Sequence, residues 1–154
     1  MLKFLSTTAL LVTLTLHSPV FAGDEAASSK AIVTTFYETA FVRHQPAAAA
    51  AYLGDRYIQH NPRVPNGSAA FAGHFEQYFK EYPQASSTIY RVIAEGDLVV
   101  IHSWARKGPE DAGLAIVDIF RVADGKIVEH WDVMQPVVTE TANGNTMFDG
   151  DRAD

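Results

Sequence analysis

With 154 residues, no cysteine and a formal net charge of −6 at neutral pH, the chain suits one domain with one apolar core and no thiol chemistry. An acidic surface repels phosphate backbones and anionic lipid, so neither nucleic acid nor a membrane surface is an expected partner. Without cysteine there is no thiolate-ligated zinc, and stability must come from packing.

At the N-terminus, Lys3, the apolar run ALLVTLTL and the small-residue pattern VFA at Val20 to Ala22 read as a secretory leader over residues 1–22. His17, Ser18 and Pro19 interrupt the run before the roughly 20 residues that a bilayer span requires. The expected product is a periplasmic or secreted protein with one domain at 23–138 and a polar tail at 139–154.

Ile32, Val33, Phe36, Tyr37, Ala40 and Phe41 recur at helical spacing and predict a first amphipathic helix ending near His44. Pro46 opens a second helix over PAAAAAYL, and Gly54 is expected to close it. The extended piece RYIQ leads into HNPRVPNG, whose prolines and Asn-Gly pair demand a loop. Ser68 is the expected N-cap of a third helix that Pro83 stops, and its aromatic stripe Phe71, Phe75, Tyr78, Phe79 and Tyr82 reads as core packing. β-branched and aromatic runs at 86–94, 98–106, 114–122 and 126–135, separated by short turns, predict an antiparallel meander. Three helices before such a sheet make an α+β domain with the helices on one sheet face.

Side chains alternate across a strand, so parity decides which groups can meet. Asp118 shares a face with Ile116 and Phe120, while His130 and Asp132 share one with Val128. A turn centred on Asp124-Gly125 is expected to set Val122 opposite Lys126, hence Phe120 opposite Val128 and Asp118 opposite His130. The second strand adds His102 and Trp104 on one of its faces. Such polar groups amid Phe and Val are costly to bury unless they are paired or line a cavity. The other hairpin face, with Val117, Ile119, Ile127 and Trp131, is also apolar, and alternation by itself leaves either face free to be the inner one.

The segments YIQHNP, VVIHSW and DIFRVADGKIVEHWDVMQ resemble the SnoaL-like group of the nuclear transport factor 2 superfamily, over about residues 30 to 136. That resemblance implies a cone-shaped fold, in which a strongly curved sheet wraps around a pocket that long helices close. It also implies that the concave face looks into the pocket. His102, Asp118, His130 and Asp132 would then be the catalytic cluster, with Ile116, Phe120, Val128 and Trp104 as walls and His60 near the mouth.

Characterised members of that group include polyketide cyclases, the wider superfamily holds ketosteroid isomerases, dehydratases and epoxide hydrolases, and the resemblance implies chemistry without a metal or other cofactor. In the cyclases the base is an acidic residue late in the final strands, for which Asp132 after Trp131 is the nearest counterpart. A carboxylate beside an apolar wall has its pKa raised toward neutrality, where it can take a proton next to a carbonyl. His130, oriented by Asp118, or His102 would donate to the enolate.

His60, His102 and His130 with Asp118 or Asp132 are an alternative metal set, although no HExxH-type motif occurs. A Ser-His-Asp hydrolase is disfavoured, because Ser103 faces away from His102 and no GxSxG elbow is present. The expected partner is therefore a small apolar substrate, or a ligand if the protein is a secreted carrier. Trp131, Val117, Ile119 and Val133 on the outer face would leave an apolar patch, consistent with the homodimer that the resemblance implies. Arg121 and Glu129 on that face are expected to pair.

Overall fold

The computed structural model describes residues 22–148. The leader expected over residues 1–22 lies, but for Ala22, outside the described residues. Helix α1 (Ala22–Tyr37) runs on as a π-helical turn (Glu38–Val42), which Arg43 closes by donating its N–H to the Glu38 carbonyl at 2.9 Å. Val33, Phe36, Tyr37 and Ala40 form one buried stripe at the spacing of a helix face. His44, at φ 54°, ends the helix near the expected position.

Pro46 starts α2 (Pro46–Ala49), which tightens into a 3₁₀ turn (Ala50–Tyr52). Gly54 does not close this helix: it lies within strand β1 (Leu53–Gln59), longer than the RYIQ piece alone. A Cβ at position 54 would meet the Val128 side chain at 3.2 Å, so the glycine serves close strand packing instead. Helix α3 (Ser68–Glu81) is capped by Gly67 at φ 95° and not by Ser68, because the chain enters the helix through a left-handed residue.

Strands β2 (Ser86–Glu95), β3 (Leu98–Arg106), β4 (Leu114–Ala123) and β5 (Lys126–Pro136) follow the expected runs to within about a residue. The sheet has the order β1-β5-β4-β3-β2, antiparallel except where β1 lies parallel to β5. Helices α1 and α3 cover one face, where Phe36, Phe71, Phe120, Val99, Ile101 and Ile127 form the centre of the core. The architecture is the expected α+β one.

The last hairpin departs from the expected register twice. Asp124 and Gly125 both take positive φ, 50° and 72°, which makes a two-residue turn with Ala123, not Val122, opposite Lys126. Beyond it the ladder steps from Val122↔Ile127 to Arg121↔Glu129, so Val128 is an unpaired bulge residue. Asp118 consequently faces Asp132, and Phe120 faces His130. The one-residue shift from the turn would by itself have turned Glu129 and Trp131 inward; the bulge reverses it and restores His130 and Asp132 to the core side.

Candidate active site

A cavity of about 700 Å³ lies between the concave sheet face and the helices, within the size range of small-molecule pockets. Phe36 and Phe41 from the first helical segment, Phe71, Phe75, Tyr78 and Phe79 from α3, Tyr82 just after it, and Phe120 from β4 form its aromatic walls. The α3 stripe therefore divides. All five wall the cavity, but only Phe71 and Phe75 also pack into or against the core.

Asp118, His130 and Asp132 all line this cavity. Asp118 and His130 are only 7% and 6% exposed, and His130 Nε2 lies 3.0 Å from Asp118 Oδ1. They meet diagonally across β4 and β5 rather than as a facing pair, because the turn and the bulge each shift the pairing by one residue. Asp118 Oδ2 is buried and, among the described residues, has no hydrogen-bond partner. Burial raises the Asp118 pKa above the usual carboxylate range, against the opposing hydrogen bond and charge of His130. Asp132 Oδ2 accepts a hydrogen bond from Asn61 Nδ2.

Strand β1 and the residues after it supply what sequence reasoning missed. Tyr57, Gln59 and Asn61 alternate onto one side of the chain and line the cavity. Gln59 Oε1 lies 2.6 Å from His130 Nδ1 and accepts the Asn61 backbone N–H at 2.9 Å, while Gln59 Nε2 donates to Tyr57 Oη at 3.3 Å. Burial, followed by the charges of Asp118 and Asp132, pushes the Tyr57 pKa up, so its phenol stays protonated. Tyr37 Oη meets Ser103 Oγ at 2.7 Å and Ser87 Oγ at 3.3 Å, and burial followed by the Asp118 charge raises its pKa too. The parity of YIQHN carried the signal: the side holding Tyr57, Gln59 and Asn61 is the one opposite His60.

Four expected site residues lie elsewhere. His60 stacks on Trp131 with ring centroids 5.0 Å apart and bonds Glu129 at 2.9 Å on the outer face. His102 is also on the outer face, because Val99, Ile101 and Ser103 are the inward positions of β3. Its Nδ1 meets Arg91 Nη1 at 3.0 Å, and desolvation together with that guanidinium lowers its pKa. Trp104 shares that face and donates Nε1–H to the Ala112 carbonyl, so it is no pocket wall. Val128, displaced by the bulge, packs beside Gly54 and does not line the cavity. Ile116 and Phe120 line it as expected.

Among the described residues, Asp118, His130 and Asp132 form the group near enough to hold a divalent cation, with ligand atoms within 4.8 Å of one another. The Nε2–Oδ1 hydrogen bond already occupies one candidate ligand atom of each of two of these residues. The expected set with His60 and His102 does not assemble, since both rings are on the other side of the sheet.

Residues 33–130 match the family model of the SnoaL-like domain. No curated protein matches the chain in sequence. In structure it is similar to TsrD from Streptomyces laurentii, at 24% identity and TM-score 0.58 over 70% of this chain and 88% of that one. A candidate ketosteroid isomerase from Kribbella flavida aligns at 18% identity and TM-score 0.62, over 76% and 84% of the two chains. A candidate polyketide cyclase from Acidithiobacillus ferrooxidans aligns at 16% and 0.57, over 70% and 87%. Likenesses at these identities establish a shared fold.

Proposed function

This chain belongs to the SnoaL-like domain family, and from that premise we propose that it is an exported, cofactor-independent enzyme that takes a proton from a carbon next to a carbonyl. The substrate is a small, largely apolar molecule, and the reaction is of aldol, isomerase or dehydratase type. The observation that carries this reading is Asp118 Oδ2, a buried carboxyl oxygen that has no hydrogen-bond partner among the described residues and lies on the wall of an aromatic cavity.

Protons balance as follows. Asp118 Oδ2 receives the substrate proton while the proton between Oδ1 and His130 Nε2 settles on Nε2, leaving imidazolium beside the new enolate. The Tyr57 phenol donates to the enolate oxygen, and Asp132, held by Asn61, orients the substrate or shares the base role. Return of the proton to another carbon gives isomerisation; attack of the enolate on a second carbonyl gives condensation.

The test is exchange of α-protons of cyclic and aryl ketones with deuterated solvent, followed by NMR. Asp118→Asn and Asp132→Asn should each slow exchange by about a hundredfold or more while retaining the fold. Full activity in Asp118→Asn would remove the dyad from the mechanism. The apolar walls also suit a secreted carrier, the second reading; a carrier binds such ketones and exchanges no proton.

The same proposal includes a homodimer formed through the outer sheet face, where Val117 and Val133 are 37% and 70% exposed beside Trp131.

A further inference from the structure

Gln59 sits where three site residues meet, and each of its amide atoms has a directional partner. The Asn61 backbone N–H can only donate, so the atom that it reaches must be the carbonyl oxygen Oε1. An oxygen there forces His130 Nδ1, at 2.6 Å, to carry a hydrogen. That leaves Nε2 free to hold the proton that it shares with Asp118 Oδ1. The other end of the amide, Nε2–H, occupies a lone pair on Tyr57 Oη. With that lone pair taken by a donor, the phenol hydrogen turns elsewhere, toward the cavity that Tyr57 lines. The Asn61 amide is fixed in the same way, since its Oδ1 accepts the Arg63 N–H at 2.9 Å and its Nδ2 is thereby left for Asp132.

We infer that Gln59 is the positioning residue that sets both proton directions of the site, fixing His130 as the Nδ1–H tautomer and aiming the Tyr57 hydroxyl at the substrate. The inference rests on the proposed reading of the cavity, but its main readout requires no turnover. Parallel β1–β5 pairing sets Gln59 beside His130, so the contact is built into the sheet rather than into a loop.

The test uses ¹⁵N-histidine-labelled protein and long-range ¹H–¹⁵N correlation of the His130 ring, with Gln59→Met and Gln59→Glu as variants. Met keeps the length and volume of Gln without either polar atom; Glu keeps the acceptor and loses the donor. Wild type and Gln59→Glu should show protonated Nδ1, whereas Gln59→Met should lose that signature. If α-proton exchange is found, both variants should slow it at least tenfold with KM changed less than threefold, Glu because Tyr57 then donates to the carboxylate and not to the enolate.

An Nε2–H tautomer in the wild type, or an unchanged Nδ1–H signature in Gln59→Met, would overturn the inference. So would full exchange activity in Gln59→Glu with a retained tautomer, because the Tyr57 half would then be void. A correct tautomer pattern with no exchange on any ketone sinks the reaction and leaves the assignment of the His130 proton intact.

Discussion

Asp118 has one oxygen bound by His130 and another that has no hydrogen-bond partner among the described residues, a condition that folding tolerates only at a cost in stability. Because burial raises its pKa, the folded state holds the proton more tightly than the unfolded chain does. The stability that follows is full below the ordinary carboxylate pKa of about 4 and is lost as pH rises through the raised folded value. Asp118→Asn removes this titration. Its melting temperature relative to wild type should therefore climb as pH goes from about 4 to 8, and a flat difference would show that Asp118 ionises normally. Glu129 on the outer face behaves oppositely. His60, then Arg121, holds its pKa down, so its contribution is present above the ordinary glutamate range and is lost on acidification.

The outcome at the scale of elements turns on a single extra residue. Pairing Val128 with Arg121 would turn Glu129 and Trp131 inward, whereas deleting Val128 would leave a regular ladder in which Glu129 still faces Arg121 and His130 still faces Phe120 on the core side. The Val128 deletion should therefore give soluble folded protein with a cooperative melt, as judged by circular dichroism and gel filtration; loss of folded protein would show that Val128 does more than restore the facing. Gly113 is a second pressure point. At φ 83° it lies where a Cβ would stand 2.3 Å from the Ala105 carbonyl oxygen and 2.8 Å from Trp104 Nε1. Gly113→Ala should cost on the order of 3 kcal/mol, seen as a melting point lower by roughly 10 °C. In the core, Phe71→Ala should cost about 3–5 kcal/mol, because that ring both touches Phe36 and walls the cavity.

For the whole molecule, the two sheet faces divide the work. The concave face holds the cavity and the proposed site, and the outer face is partly covered by the chain itself. Phe148, 5% exposed, stacks near Tyr90, His102 and Trp104, and its carbonyl accepts from Arg91 at 2.8 Å. The β4–β5 half of that face keeps Val117 and Val133 open, and Arg121 bridges Asp97 and Glu129 along it. Dimerisation there predicts that wild-type protein sediments as a dimer at micromolar concentration and Val133→Glu as a monomer. A monomeric wild type would remove this interface.

Much of the fold was legible in residue order because helix and strand periods are local. Val33, Phe36, Tyr37 and Ala40 announce a helix face, and each of the last four strands carries its own β-branched run. The final hairpin also carried the family resemblance and the Asp118, His130 and Asp132 cluster. The true register was not legible, since a bulged Val looks like any strand Val, and only the hydrogen-bond ladder shows which residue is left unpaired. His60 and His102 drew attention as chemistry-bearing side chains, yet parity against partner strands puts both on the outer wall.

By itself, then, the sequence determined the secondary elements, the α+β class and which residue types were available for acid/base work, because these follow from short-range spacing and side-chain chemistry. Tertiary structure alone decided that Gln59 meets His130, that Asn61 meets Asp132 and that one Asp118 oxygen has no hydrogen-bond partner among the described residues. Those facts depend on strand order, a parallel β1–β5 pairing and one bulge, which bring together residues some 70 positions apart in the chain through contacts that no local pattern encodes.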